Sequence, residues 1–342
     1  MNSELKILFD IGHPAHIHYF KNPINIMKKR GGEITIVARD KEVTHTLLTE
    51  LGLDYISRGR GGNSLFEKLL YLFYGVYKLY RVGKITNTDL FVSFGSTYAA
   101  QASFLLGKRH IAFEDSENAH LEHLLYIPFT SVVHTPYTFK KSFGTKQKYY
   151  DGYIELAYLS PKYFKPKKTI YQQLGINESE NYAVIRLISW AASHDVGQKG
   201  FREEDLLSLI NHLKGYVNHV FISSEGSVPK MLRENRPNIR ASMIHELLYY
   251  SDIYIGEGAT MAIESALLGT PAIYVNSLTG GVVEELEHEY GLLFRRQTYI
   301  DIIGSLENIF NKPPQTFNSA RERLLSEKPD MCNYIVGVLD ND

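Results

Sequence analysis

Ser251-Asp-Ile-Tyr-Ile-Gly-Glu-Gly-Ala-Thr-Met-Ala-Ile-Glu-Ser-Ala-Leu-Leu-Gly-Thr-Pro-Ala-Ile-Tyr-Val-Asn276 reads as strand, glycine turn, helix, turn and strand. Gly256 and Gly258 permit a tight turn and a close backbone approach to a ligand, and the helix that follows aims its unpaired N–H groups at whatever lies above the turn. Such a helix end, here Gly258, Ala259 and Thr260, favours an anion, and a phosphate is the natural guest. Thr260 and Glu264 share a face one turn apart. Because helical side chains lean toward the N-terminus, the Glu264 carboxylate can reach back beside the anion, where it suits a pair of ribose hydroxyls. Ala262, Ile263, Ala266 and Leu267 form the packing side of the same helix. From the residues alone the stretch reads more readily as an ordinary corner of a doubly wound domain, with a solvated Glu264.

The same alternation continues outward in both directions. Upstream, strand Tyr182–Ile188 runs into a loop holding Trp190, His194 and Lys199, then helix Glu203–Lys214, strand His219–Ser223 and helix Met243–Tyr250. Downstream come strand Ala272–Val275, a helix near Val282–Tyr290, a short strand at Leu292–Phe294 and further helices from Tyr299. The first half opens with strand Lys6–Ile11 and a loop, Gly12-His13-Pro14-Ala15-His16-Ile17-His18-Tyr19-Phe20, before helical spacing sets in at Ile24 and Met27. Strands Glu33–Ala38, Asp54–Ser57, Asp89–Phe94, Arg109–Phe113, Ser131–Thr135 and Gln147–Tyr150 follow, most of them separated by helices, as a parallel sheet requires. Glu114-Asp115-Ser116-Glu117 lies at the carboxyl end of one of them, where open parallel sheets bind ligands; as helix caps these residues have a purely structural alternative. Pro161, Pro166 and the lysines from Lys165 to Lys168 mark a linker, with the boundary between 155 and 175. The expected division is residues 1–160 as an acceptor domain and 170–342 as a nucleotide-sugar domain, the last helices packing back on the first.

Composition limits the function classes. At 342 residues, 44% hydrophobic, the chain can bury two separate cores. A net charge of −1 without long basic runs argues against nucleic acid as the main partner. One cysteine, Cys332, excludes an internal disulfide framework and fits a reducing cytoplasm. The first residues run straight into a strand without the regions of a secretion signal, so the expectation is a protein of the cell interior. The apolar segment Leu65–Val82 is broken by Glu67, Lys68, Lys78 and Arg81 and is too interrupted to span a bilayer. The helix Ser64–Lys84 is apolar nearly all round; core packing explains most of that, and the alternative is a face lying on the inner surface of a membrane.

Glu264-x4-Gly269-x-Pro271 before an apolar strand resembles the nucleotide-sugar motif of GT-B glycosyltransferases, notably the peptidoglycan N-acetylglucosaminyltransferase, and that of the non-hydrolysing UDP-N-acetylglucosamine 2-epimerases. The resemblance implies two Rossmann-like doubly wound α/β domains facing one cleft. It also implies a glutamate on the ribose of UDP and a glycine loop on its diphosphate; Glu257 between the glycines departs from that pattern. His13-Pro14-Ala15-His16-x-His18 is similar to a widespread family of GT-B-like proteins without an assigned reaction. Glu114 resembles the glutamate after the equivalent strand in both related families, and His16 the histidine of the Gly-Gly-His loop in the peptidoglycan transferase.

These expectations define a metal-independent transferase that moves a sugar from a UDP-sugar donor to a saccharide or lipid-linked acceptor, with no cofactor besides the donor. His16, or else His18, takes the acceptor proton, with Glu114 as a further candidate. Arg186, His194 and Lys199 offset charge on the departing diphosphate. The three histidines lack cysteine or acidic partners at ligand spacing, so no metal is expected. A 2-epimerase of the same fold and a non-catalytic nucleotide-sugar-binding protein are the alternatives. The aspartate that the epimerases carry after the fourth strand is replaced here by Ser96.

Overall fold

The computed structural model describes residues 5–41, 43–62, 64–187, 203–224, 230–313 and 315–341. The chain forms two compact units, Met1–Tyr163 with Pro329–Asp342, and Phe164–Lys328. Among the described residues the first unit holds strands β1 (Lys6–Ile11), β2 (Glu33–Ala38), β3 (Ile56–Ser57), β4 (Leu90–Phe94), β5 (Arg109–Phe113), β6 (Val132–Pro136) and β7 (Gln147–Tyr150). Its helices are α1 (Pro14–Lys29), α2 (Thr44–Glu50), α3 (Leu65–Ile85), α4 (Thr97–Leu105), α5 (His120–Tyr126) and α6 (Leu156–Leu159). The strands are all parallel, in the order β3-β2-β1-β4-β5-β6-β7. Helices cover both faces of such a sheet, which is why β4 is buried along its whole length and apolar but for Ser93. The chain turns back between β1 and β4, so their carboxyl ends flank a topological switch point.

The second unit contains α7 (Thr169–Leu174), β8 (Tyr182–Leu187), α8 (Glu203–Leu213), β9 (His219–Ser224), α9 (Ile244–Tyr249), β10 (Ile253–Gly256), α10 (Ala259–Leu268), β11 (Ala272–Val275), α11 (Gly281–His288), β12 (Leu293–Arg296), α12 (Tyr299–Phe310) and α13 (Gln315–Glu327). Its parallel order is β12-β11-β10-β8-β9, with the switch point between β8 and β10. The architecture is α/β with two doubly wound sheets. Gly269 ends α10 at φ 90°, a conformation that costs any other residue dearly, and the Thr270 N–H closes the turn on the Ser265 carbonyl at 3.0 Å. The Gly-x-Pro part of the motif is therefore a helix stop. Helix α14 (Met331–Asp340) returns to the first unit and packs on α1 and α6.

Two expectations change. Helix α1 begins at Pro14, with His13 as its cap: the His13 Nδ1 accepts from the Ala15 N–H at 3.2 Å and proline occupies the first turn, where its missing N–H costs nothing. The loop after β1 is thus Gly12–His13 alone, and His16 and His18 stand on a helix. The stretch from Tyr153 to Leu159, whose later part falls within the expected boundary region of 155–175, is a buried part of the first unit; Asn22 of α1 donates to the Ala157 carbonyl at 2.8 Å.

Candidate functional site

The second unit brings its candidate residues to one sheet edge. Gly256 is the register partner of Arg186, and the Glu257 N–H donates to the Arg186 carbonyl at 3.3 Å. The Arg186 guanidinium is half-buried and donates to the Ser223 hydroxyl at 2.7 Å. Beside it Gly258 enters α10 in extended backbone with no side chain to cap the helix, and the first turn carries no acid. The first-turn residues Ala259, Thr260 and Met261 are half-exposed, and the cap supplies no side-chain acceptor for the N–H groups of this turn.

The glycines act differently from the expectation. Gly258 has φ −95°, and Gly256 is the last residue of β10, so neither serves a left-handed turn. Gly256 is required for room: a Cβ there would overlap the Tyr254 hydroxyl and stand 2.9 Å from the Arg186 Cβ. That hydroxyl is fully buried, has no hydrogen-bond partner among the described residues, and has Arg186, Glu264 and Glu257 as charged neighbours. Glu257 is buried rather than projecting over the turn. Glu264 is also buried, not solvated, and its Oε1 lies 3.0 Å from the His245 Nε2. A carboxylate only accepts, so the ring nitrogen facing it carries the proton. His245 fixes the direction of the Glu264 carboxylate, and no spacing in the sequence announced it. His194 and Lys199 lie outside the described residues.

In the first unit the switch point is built on a buried ion pair. Asp10, at the end of β1, lies 3.0 Å from the Arg58 Nε and accepts a short hydrogen bond from the Ser96 hydroxyl. Ser96 also caps α4, accepting from the Ala99 N–H at 3.2 Å. The Arg58 guanidinium stacks over the Tyr98 ring at 4.2 Å. A carboxylate thus stands next to Ser96 after all, supplied by β1, but it is neutralised in the core. The signal for it is an aspartate in a strand that is otherwise apolar after Lys6.

His16 lies in the first turn of α1. Its Nδ1 accepts from the Gly12 N–H at 3.3 Å, so the neutral ring carries its proton on Nε2 and is a donor there. Burial, with the positive charge of His13, Lys41 and Arg58 near it, holds its pKa well below the ordinary histidine value. His18 is buried against the Tyr158 ring at 5.3 Å, in a packing role.

Glu114 is held on every side. Its Oε1 accepts from the N–H groups of Asp115 and Ser116 at 3.1 and 2.8 Å; its Oε2 accepts from the Tyr126 hydroxyl at 3.1 Å and lies 3.5 Å from the His123 Nε2. Gly95 makes room for it: its φ is 55°, and an added Cβ would stand 2.6 Å from the Glu114 Oε2. Asp115 next to it is half-buried, and burial followed by the repulsion of Glu114 raises its pKa to about 7. A carboxyl group in that range can give or take a proton near neutrality. Among the described residues no three His, Cys, Asp or Glu side chains converge as a metal site needs. Nor is any described helix long and apolar enough to cross a membrane.

A family model described as "Protein of unknown function (DUF354)" matches residues 5–324. An uncharacterized protein of Methanocaldococcus jannaschii is 26% identical over 322 residues, covering 90% of this chain and 92% of its own length. Among solved structures, the Staphylococcus aureus MnaA–UDP co-structure aligns with a TM-score of 0.71 at 12% identity, over 97% of this chain and 95% of that one. The UDP-GlcNAc 2-epimerase of Neisseria meningitidis bound to UDP-GlcNAc gives 0.69 at 13%, over 99% and 100%. Acinetobacter baumannii MurG gives 0.59 at 13%, over 99% and 100%. These likenesses show the fold, which is GT-B.

Proposed function

We propose that this chain, which belongs to the DUF354 family, binds a UDP-sugar at the carboxyl edge of its second unit and transfers the sugar to an acceptor hydroxyl. The observation that carries the reading is the meeting, at one switch point, of an uncapped helix N-terminus with a buried, oriented carboxylate. In this reading the diphosphate takes the N–H groups at Ala259 and Thr260, with Arg186 beside it, and His194 and Lys199 remain candidates for the same anion. Glu264, oriented by His245, accepts from the ribose hydroxyls. Negative charge that builds on the departing UDP falls on the helix end and the guanidinium, so the leaving group is stabilised without a metal.

The acceptor proton goes to Asp115, whose pKa of about 7 lets it start ionised and accept a proton during attack. Glu114 holds the turn that presents Asp115. His16, with its Nε2 proton, serves as a hydrogen-bond donor rather than the base.

Epimerisation at C2 of a UDP-N-acetylhexosamine is the second reading, favoured by the same Asp115, since removing and replacing a sugar proton also needs a carboxyl group that titrates near neutrality. Incubating the pure protein with a panel of UDP-sugars separates the two. Free UDP formed only when a saccharide or lipid-linked acceptor is added supports transfer. A 2-epimer formed without acceptor assigns the second reading, and no UDP binding at all rejects both.

A further inference from the structure

We infer that the outward face of α3 docks the first unit onto a membrane surface that carries anionic lipid. The inner side of α3 is core, with Val76, Leu79 and Val82 packed with Phe91 of β4 and with Ala99 and Ala102 of α4. The outer side leaves Phe66 69%, Phe73 66% and Tyr77 57% exposed, with Leu69, Leu70 and Tyr74 beside them. Phe66, Leu70, Phe73, Tyr77, Arg81 and Lys84 recur at helical spacing along one stripe. At 1.5 Å per residue it runs for about 27 Å. Single exposed apolar side chains are commonplace, but a continuous row of this size marks a binding face.

The charges choose the occupant. Arg81 and Lys84 close the stripe, Lys78 lies on its flank, and the one acid of the helix, Glu67, is committed to the capping box, its Oε2 accepting from the Ser64 N–H at 3.0 Å. A second copy of the chain complements this pattern poorly. Antiparallel α3 helices related by a two-fold axis through Tyr74 would set Lys78 against Leu70 of the other copy, Lys84 against Ser64, and Arg81 against Glu67, whose carboxylate already accepts from the Ser64 N–H; parallel ones would set Arg81 against Arg81 and Lys84 against Lys84. A bilayer accommodates both parts: aromatic and leucine side chains enter the headgroup boundary while arginine and lysine reach its phosphates. Ser64 starts α3 on the carboxyl side of β3, so the apolar end of the stripe lies at the sheet edge that carries Glu114 and Asp115. A substrate borne on lipid would meet that edge. The docking face itself does not depend on the sugar-transfer reading.

The test is flotation of the full chain with phosphatidylcholine vesicles, with and without phosphatidylglycerol, at low and high salt. Binding is expected only with the anionic lipid and mainly at low salt. Arg81→Gln with Lys84→Gln should lower the partition coefficient on the order of 30-fold, and Phe73→Glu with Tyr77→Glu should abolish flotation. UDP affinity, measured alongside, should stay unchanged in both double variants, which shows that they fold and separates this proposal from the previous one. Absence of binding to anionic vesicles at low salt overturns the inference, as does binding that neither pair affects. A dimer seen by light scattering and dissolved by Phe73→Glu assigns the face to a second copy and overturns it too.

Discussion

Replacing Glu264 by glutamine and by alanine distinguishes a ligand-binding carboxylate from a structural one. The carboxylate is buried and 3.0 Å from the His245 Nε2. In the glutamine variant the amide oxygen can still accept that proton, so the internal hydrogen bond survives and folding stability should fall by no more than about 1 kcal/mol. Alanine leaves the imidazole N–H buried and unpaired and opens a void, for a loss of about 2–4 kcal/mol. UDP affinity should respond differently. A hydrogen bond to a charged acceptor contributes about 1.5–3 kcal/mol, so both variants should bind UDP about 10-fold to 150-fold more weakly. Urea unfolding gives the first pair of numbers and titration calorimetry the second. A glutamine variant that is folded and binds UDP as tightly as the wild type would refute the assignment of Glu264 to the ribose.

Asp115→Asn should remove turnover, by about 100-fold to 10,000-fold, while His16→Ala lowers it far less; equal losses in acceptor-dependent assays would return the base to His16. The pH dependence of stability offers a check that needs no substrate. The folded pKa of Asp115, about 7, lies above the ordinary aspartate value, so its contribution is full below about pH 4 and is lost as pH rises to about 7. Asp115→Asn should therefore match the wild type near pH 4 and exceed it in urea melts above pH 7. Gly95→Ala should destabilise by about 2–4 kcal/mol, from the positive φ and from displacing the Glu114 carboxylate off the Tyr126 hydroxyl. A change below about 0.5 kcal/mol would mean that the carboxylate moves freely.

Legibility followed the range of the interaction. Buried parallel strands are short apolar runs with clear boundaries, and Ala272–Val275 reads from sequence with the bounds that the structure has. The start of α1 was misread because glycine, histidine and proline in succession resemble a loop, whereas Pro14 is a helix starter once His13 caps it. Site features that depend on tertiary proximity left no trace in spacing. His245 and Glu264 sit on different helices, and the partner that neutralises Asp10 comes from beyond β3. The environment of Asp115 arises from where Glu114 is pinned, which the adjacency of two acids does not disclose.

The return of α14 to the first unit has a consequence for synthesis on the ribosome. His134 and Tyr334, hydrogen-bonded at 2.7 Å, are 200 residues apart, and Asp330, which receives the Tyr163 hydroxyl at 3.0 Å, is 167 residues from it. The whole of Phe164–Lys328 must leave the ribosome before residues 329–341 can cover α1 and α6. At ordinary elongation rates that interval is roughly ten to thirty seconds. During it the nascent first unit shows water a patch meant for α14, including the neighbourhood of Tyr150, whose ring lies 5.5 Å from that of Tyr334. The earliest part of the chain to emerge is then among the last to finish folding, and its demand for a chaperone should be set by the length of what is inserted into it.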